Sequence, residues 1–251
     1  MSKLNVDLEL VQKYNVPGPR YTSYPPAVSK LPTVGGWQNP DLEKLVALRP
    51  DLVVMDQAQA PFVVDQCKQL GLRVAIVADA KVADVYRAIT AIGKATGHDA
   101  EAAKLLQTTR DGLLRVSQKT ASLPKLKVIL IVDRTPGTLR DLYSATGGSF
   151  LAELVDIAGG RIAVPPDKLG YAKLSKEDLL AADPDVILDF THGAVGRFAG
   201  NPMEAWSEMP ELKAVRTHRV RSVNEDYVPH ASQRIVQTAE LFARLIHPEA
   251  K

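Results

Sequence analysis

Glu43-Lys-Leu-Val-Ala-Leu-Arg-Pro50-Asp51-Leu-Val-Val54 aligns without a gap to Glu177-Asp-Leu-Leu-Ala-Ala-Asp-Pro184-Asp185-Val-Ile-Leu188, 134 residues further along the chain. The same offset carries Gly36-Trp37 onto Gly170-Tyr171 and Asp41 onto Ser175, each a suitable helix N-cap two residues ahead of its glutamate. In both copies the proline stops a helix, the aspartate shapes the turn, and the apolar run that follows suits a sheet covered on both faces. Pro-Asp before an apolar run is common in α/β proteins. The extension back to the glutamate and the aromatic residue is what points to a duplicated architecture.

Outward from the repeat, β-branched runs alternate with amphipathic stretches. Leu52–Met55, Arg73–Val77, Lys127–Val132, Val186–Phe190 and Val220–Val223 are expected to be strands. Between the two sets, Asp99 to Ala121 carries Ala102, Leu105, Leu106, Leu113 and Val116 at helical spacing, and Pro124 ends it. The expected fold is α/β with largely parallel sheets: two related lobes joined by one long bridging helix. The expected divisions are an irregular proline-rich arm over 1–30, a first lobe over 31–98 truncated at its N-terminus, the bridging helix over 99–123 and a second lobe over 124–251.

Composition narrows the function. Of the 251 residues 45% are hydrophobic, enough for a sizeable core, and the formal net charge of +2 provides no sequence-wide field for nucleic acid or an anionic membrane. No stretch approaches the roughly 20 apolar residues of a membrane span. Met1–Leu10 alternates polar and apolar residues and carries no export signal. Cys67 is the single cysteine, which excludes an intramolecular disulfide and any site of several thiolates. It reads as a small buried hydrophobe. The five histidines show no paired metal spacing, and Gly147-Gly148 and Gly159-Gly160 flank the apolar stretch Ser149–Ala158 rather than opening a phosphate loop. No metal site, cofactor or catalytic constellation is expected.

Two α/β lobes leave a cleft, a favoured place for a ligand. Trp37 and Tyr171, each in a glycine-containing loop just before a capped helix, are the first candidates to face it, although core packing explains such aromatics equally well.

From Tyr24 onward these features resemble the cobalamin, haem and siderophore class of ABC-importer substrate-binding proteins, and within it the periplasmic cobalamin-binding members. The resemblance rests on Gly36-Trp37-Gln38-Asn39-Pro40-Asp41-Leu42-Glu43, Tyr143 before Gly147-Gly148, Gly170-Tyr171, Leu174-Ser175-Lys176-Glu177, Asp226-Tyr227 and Ala231-Ser232-Gln233-Arg234. It implies a monomeric, non-enzymatic carrier of the helical-backbone periplasmic type. The carrier would receive cobalamin or a related corrinoid, haem or a ferric siderophore between its lobes and hand it to a membrane permease. Position by position, Trp37, Tyr143, Tyr171 and Tyr227 match aromatic ligand contacts, and Asp226 and His230 match polar ones. Arginine is commoner in the class where His230 stands. Glu43 and Glu177 match the pair of surface glutamates that dock on an ABC permease dimer. An acidic residue in a first helical turn also complements the helix dipole with no partner at all, worth roughly 0.3–1 kcal/mol.

The opening departs from this class. Lys13-Tyr14-Asn15-Val16-Pro17-Gly18-Pro19-Arg20-Tyr21-Thr22-Ser23-Tyr24-Pro25 resembles the N-terminal segment of oxygen-independent coproporphyrinogen oxidase, whose four-iron cluster needs three closely spaced cysteines. One cysteine cannot hold it. Three readings follow: an importer's binding protein, periplasmic by resemblance; a cytoplasmic tetrapyrrole-binding fusion, which the absent export signal would suit; and an inactive truncated fragment.

Overall fold

In a computed structural model, residues 24–36, 39–167, 170–190 and 202–249 are described. Trp37 and most of the Lys13–Pro25 segment lie outside them. The chain divides into two compact units, Met1–Val77 and Ala78–Lys251.

In the first unit a 3-10 turn, Pro26–Lys30, precedes α1 (Leu42–Ala47). The Asp41 carboxylate accepts the Lys44 amide N–H at 3.0 Å and so caps the helix. β1 (Val53–Asp56), α2 (Ala60–Gln69) and β2 (Val74–Val77) follow. β1 and β2 pair in parallel from Val53↔Val74 to Asp56↔Val77, the arrangement that needs a crossover such as α2 between them. Leu45, Met55, Ala60, Val63 and Cys67 form the core of this unit. Among the described residues β1 and β2 pair only with one another, and Val54 and Ile76 stay exposed. Burial raises the Cys67 thiol above its ordinary pKa, the setting of a packing residue rather than a nucleophile.

The second unit begins with α3 (Val82–Thr96) and α4 (Asp99–Thr120), the long helix that the spacing predicts. Its sheet is built on β3 (Leu126–Asp133) and includes β4 (Leu142–Ala145), β5 (Gly160–Ile162), β6 (Tyr171–Leu174), β7 (Val186–Phe190) and β8 (Val220–Val223), with helices α5 (Phe150–Ile157), α6 (Lys176–Ala182), α7 (Pro202–Trp206), α8 (Lys213–Arg216) and α9 (Ile235–Ile246). The strand order is β6-β4-β3-β7-β8, and β5 also pairs with β3. β5, β7 and β8 run parallel to their neighbours, whereas β4 and β6 are antiparallel. The largely parallel sheet expected from the sequence is therefore mixed in this unit. β4, β5 and β6, absent from the strands read in the sequence, are three- and four-residue segments with at most one β-branched residue each.

β3 and β7 are covered on both faces, as their unbroken apolar runs require. Val128, Leu130, Val186 and Leu188 join one core cluster with Leu113, Leu154, Phe242 and others from α3, α4, α5 and α9. The alternate positions Ile129, Ile131 and Ile187 join the other, with Leu179, Trp206, Met209 and Val215. Asp189 alternates onto this second face, fully buried, where Arg134 pairs with it at 2.9 Å and Trp206 donates its indole N–H to it at 2.8 Å. Gly112, in the middle of α4, has a structural reason. A Cβ there would come within 2.7 Å of the Val236 side chain, so the glycine lets α9 lie close against α4.

Candidate functional site

The C-terminal end of β3 is where the sheet offers a concavity. The β3–β4 register shifts between Ile131 and Asp133, so that Asp133 pairs with Tyr143 across the irregularity. Such bulges re-aim side chains. One strand further out, Ala145 of β4 pairs with Tyr171, the first residue of β6. Val132, Asp133, Tyr143 and Tyr171, with Leu151 from α5 and Pro229 from the loop ahead of α9, line a cavity of about 400 Å³. Tyr143 and Tyr171 are 42% and 37% exposed. Burial of its phenol, reinforced by the negative charge of Asp79, raises Tyr171 above the ordinary tyrosine pKa, so it enters the cavity as a neutral hydroxyl.

The glycines beside the cavity are there for close approach. A Cβ on Gly148 would collide with the Asp167 carbonyl oxygen, and Gly170 has φ +77°. Thr146 ties these strands' ends together: its N–H donates to the Gly170 carbonyl at 2.8 Å and its hydroxyl accepts the Asp167 N–H at 3.2 Å. Ser149 caps α5 by accepting the Ala152 N–H at 3.2 Å. This pair of glycines thus precedes a helix, as expected.

The structure brings Tyr143 and Tyr171 together and places the other described candidates differently. Tyr227 is half-buried, with the Arg234 guanidinium 4.3 Å from the centre of its ring, and its phenol is raised by burial and by Glu225. Asp226 is exposed and lies 3.6 Å from Arg234. His230 is exposed beside Pro229. Glu43 and Glu177 are exposed in the first turns of α1 and α6. Sequence reasoning missed Val132, Asp133, Leu151 and Pro229. The available signal was the general one that α/β ligands gather outside the carboxyl ends of strands, which singles out the end of the longest apolar run.

Among the described residues no three His, Cys, Asp or Glu side chains group as metal ligands, and no helix is long and apolar enough to cross a membrane. Apart from Asp133, the cavity is lined by apolar and aromatic side chains. A family model described as "Periplasmic binding protein" matches residues 4–227.

The chain belongs to the periplasmic binding protein family.

Members of this family carry ligands and are not enzymes. The match begins upstream of the segment that resembles the oxidase and runs across it. An uncharacterised ABC transporter substrate-binding lipoprotein of Bacillus subtilis is 29% identical over 234 residues, covering 90% of this chain and 71% of the relative. A vitamin B12-binding protein of Salmonella paratyphi A is 25% identical over 221 residues, covering 88% and 78%. The crystal structure of a periplasmic haem-binding protein from Pseudomonas aeruginosa superposes with a TM-score of 0.78 at 22% identity, over 91% of this chain and 83% of that one. That likeness establishes the α/β periplasmic-binding fold.

Proposed function

We propose that this family member is the substrate-binding protein of an ABC importer, working outside the cytoplasmic membrane, and that it receives a corrinoid or a related metal chelate such as haem at the Tyr143–Tyr171 cavity. One observation carries the reading: two tyrosines held half-open by the β4–β6 pair over a floor of Val132, Leu151 and Pro229. A flat macrocycle lying on this surface buries apolar area worth about 25 cal/mol per Å², so a few hundred Å² supports micromolar affinity after the cost of association. The tyrosine hydroxyls then orient the ligand's polar rim. The relatives' names support this ligand class, and Trp37, Asp226, Tyr227 and His230 remain candidate contacts. Delivery follows through Glu43 and Glu177, whose exposed first-turn positions suit a pair of basic pockets on a permease dimer.

The test is a titration of the purified protein with cyanocobalamin and with haem, followed by tryptophan fluorescence and ligand absorbance. Micromolar binding of one of them, weakened at least tenfold in Tyr143→Ala and in Tyr171→Ala, is the expected result. Binding that ignores both substitutions moves the site elsewhere.

A further inference from the structure

Resting on that reading of the cavity, we infer that Asp133 is its specificity-determining residue, selecting chelates whose rim carries neutral amides or positive charge over chelates that carry carboxylates. Asp133 is the carboxylate among the six residues lining the cavity, and the other five are apolar or aromatic. It is the last residue of β3, exposed, and set against Tyr143 by the irregular β3–β4 pairing, so its position belongs to the sheet rather than to a loop. Among the described residues its carboxylate accepts no hydrogen bond and forms no ion pair. Its acceptor capacity is open to an incoming ligand.

Three of the basic groups nearby are already engaged. Lys173, paired with Tyr143 across β4 and β6, binds the Asp141 carboxylate at 2.7 Å. Arg134, the residue after Asp133, is buried on Asp189 at 2.9 Å. Arg234 lies over Tyr227 and beside Asp226. A ligand carboxylate seated on the two tyrosines thus meets a fixed like charge with these cations already committed, and because Asp133 is exposed the repulsion weakens as salt rises. A primary amide instead donates its N–H to the carboxylate, a charge-assisted hydrogen bond. Unlike charge and amide donors are rewarded at the same atom that penalises carboxylates.

The probes are cyanocobalamin, rich in amides, and haem, with two propionates, titrated against the full chain and against Asp133→Asn and Asp133→Lys. The isosteric amide keeps an acceptor and removes the charge, so haem affinity should rise about tenfold while cyanocobalamin affinity shifts less than threefold. Asp133→Lys should raise haem affinity further and weaken cyanocobalamin. In the unmodified protein, raising salt from about 0.05 to 0.5 M should strengthen haem binding and leave cyanocobalamin unchanged, a readout that needs no variant. If Tyr143→Ala abolishes binding but the haem-to-cobalamin ratio stays within twofold in both Asp133 variants, the selectivity role falls and the cavity stands. If both ligands bind regardless of Tyr143 and Tyr171, or neither binds, the cavity assignment and this inference fall together.

Discussion

Arg49 and Asp183, equivalent positions of the repeat, both pass through left-handed backbone, at φ 47° and 37°, each immediately before its proline. Proline disfavours the right-handed helical region for the residue ahead of it, so each helix ends in one sharp residue and the chain swings into a parallel strand. The copies agree beyond the turn as well. Val53 donates its N–H to the Arg73 carbonyl at 2.8 Å and Ile187, 134 residues on, to the Arg219 carbonyl at 3.1 Å, in each case just ahead of the neighbouring strand. The two sites are not equally free to change, because the Asp183 carboxylate also accepts the Lys213 N–H at 2.9 Å. Arg49→Gly should leave stability unchanged or raise it by up to about 1 kcal/mol by relieving the Cβ clash. Asp183→Gly should cost about 1 kcal/mol through the lost hydrogen bond. Urea titrations of both variants decide it, and equal effects would mean that the turn rather than the side chain sets the energy.

Gly112→Ala tests how closely α9 lies on α4. Alanine improves helix propensity by up to about 1 kcal/mol. Its methyl, however, meets Val236 well inside contact distance, and overpacking costs about 1–3 kcal/mol. A net loss of stability is expected, recovered in large part when Val236→Ala is added. Additive effects in that double-mutant cycle would show that the helices can separate at no cost.

Asp185 links the unit's stability to pH. Burial pushes its carboxyl up, but the hydrogen bond to Lys213, the Lys127 amide N–H and the two positive charges outweigh it and hold the group below its ordinary value of 3.8. The Lys127 N–H donates to it at 2.7 Å and the Lys213 ammonium lies 2.6 Å away. A lowered native pKa contributes stability that is present above the unfolded value and disappears as pH falls through the native one. Asp185→Asn should therefore cost about 1–2 kcal/mol at pH 7. The gap to the unmodified protein should close below about pH 3.8. Denaturant midpoints between pH 7 and 3 measure it, and a gap that is constant with pH would remove the carboxylate's charge from the account.

Glu43→Lys together with Glu177→Lys should abolish delivery to the permease while changing ligand affinity less than twofold, since both carboxylates are exposed and neither lines the cavity. Delivery by the unmodified protein should weaken with salt, as contact between exposed charges is screened. Vesicles containing the permease report both. Undiminished delivery by the double variant would leave the two glutamates as helix-dipole partners.

The long helix α4, the two proline turns and the strands at β1, β2, β3, β7 and β8 show what the sequence determined by itself. Each depends on a signal confined to about a dozen residues: a capping side chain, a helical or unbroken apolar period, a proline that closes the element. The caps at Asp41 and Ser175 were legible for the same reason, because the residue that caps and the amides it caps lie within one turn. The edge strands β4 and β6 were not. Leu-Tyr-Ser-Ala and Tyr-Ala-Lys-Leu lack the β-branched residues that mark β1, β2 and β8 at the same length, and β4 and β6 exist because Leu142–Ala145 pairs with Tyr171–Leu174, almost 30 residues away. The site shares that dependence. Tyr143 and Tyr171 were picked out one at a time, but only the antiparallel pairing brings them onto one cavity, and only the shifted register at the end of β3 sets Asp133 beside them. Tyr227, similar in the sequence, has an Arg234 guanidinium 4.3 Å from its ring centre instead. Local propensity names the candidates; cross-strand register and cation pairing, which are properties of contacts distant in sequence, decide which of them meet.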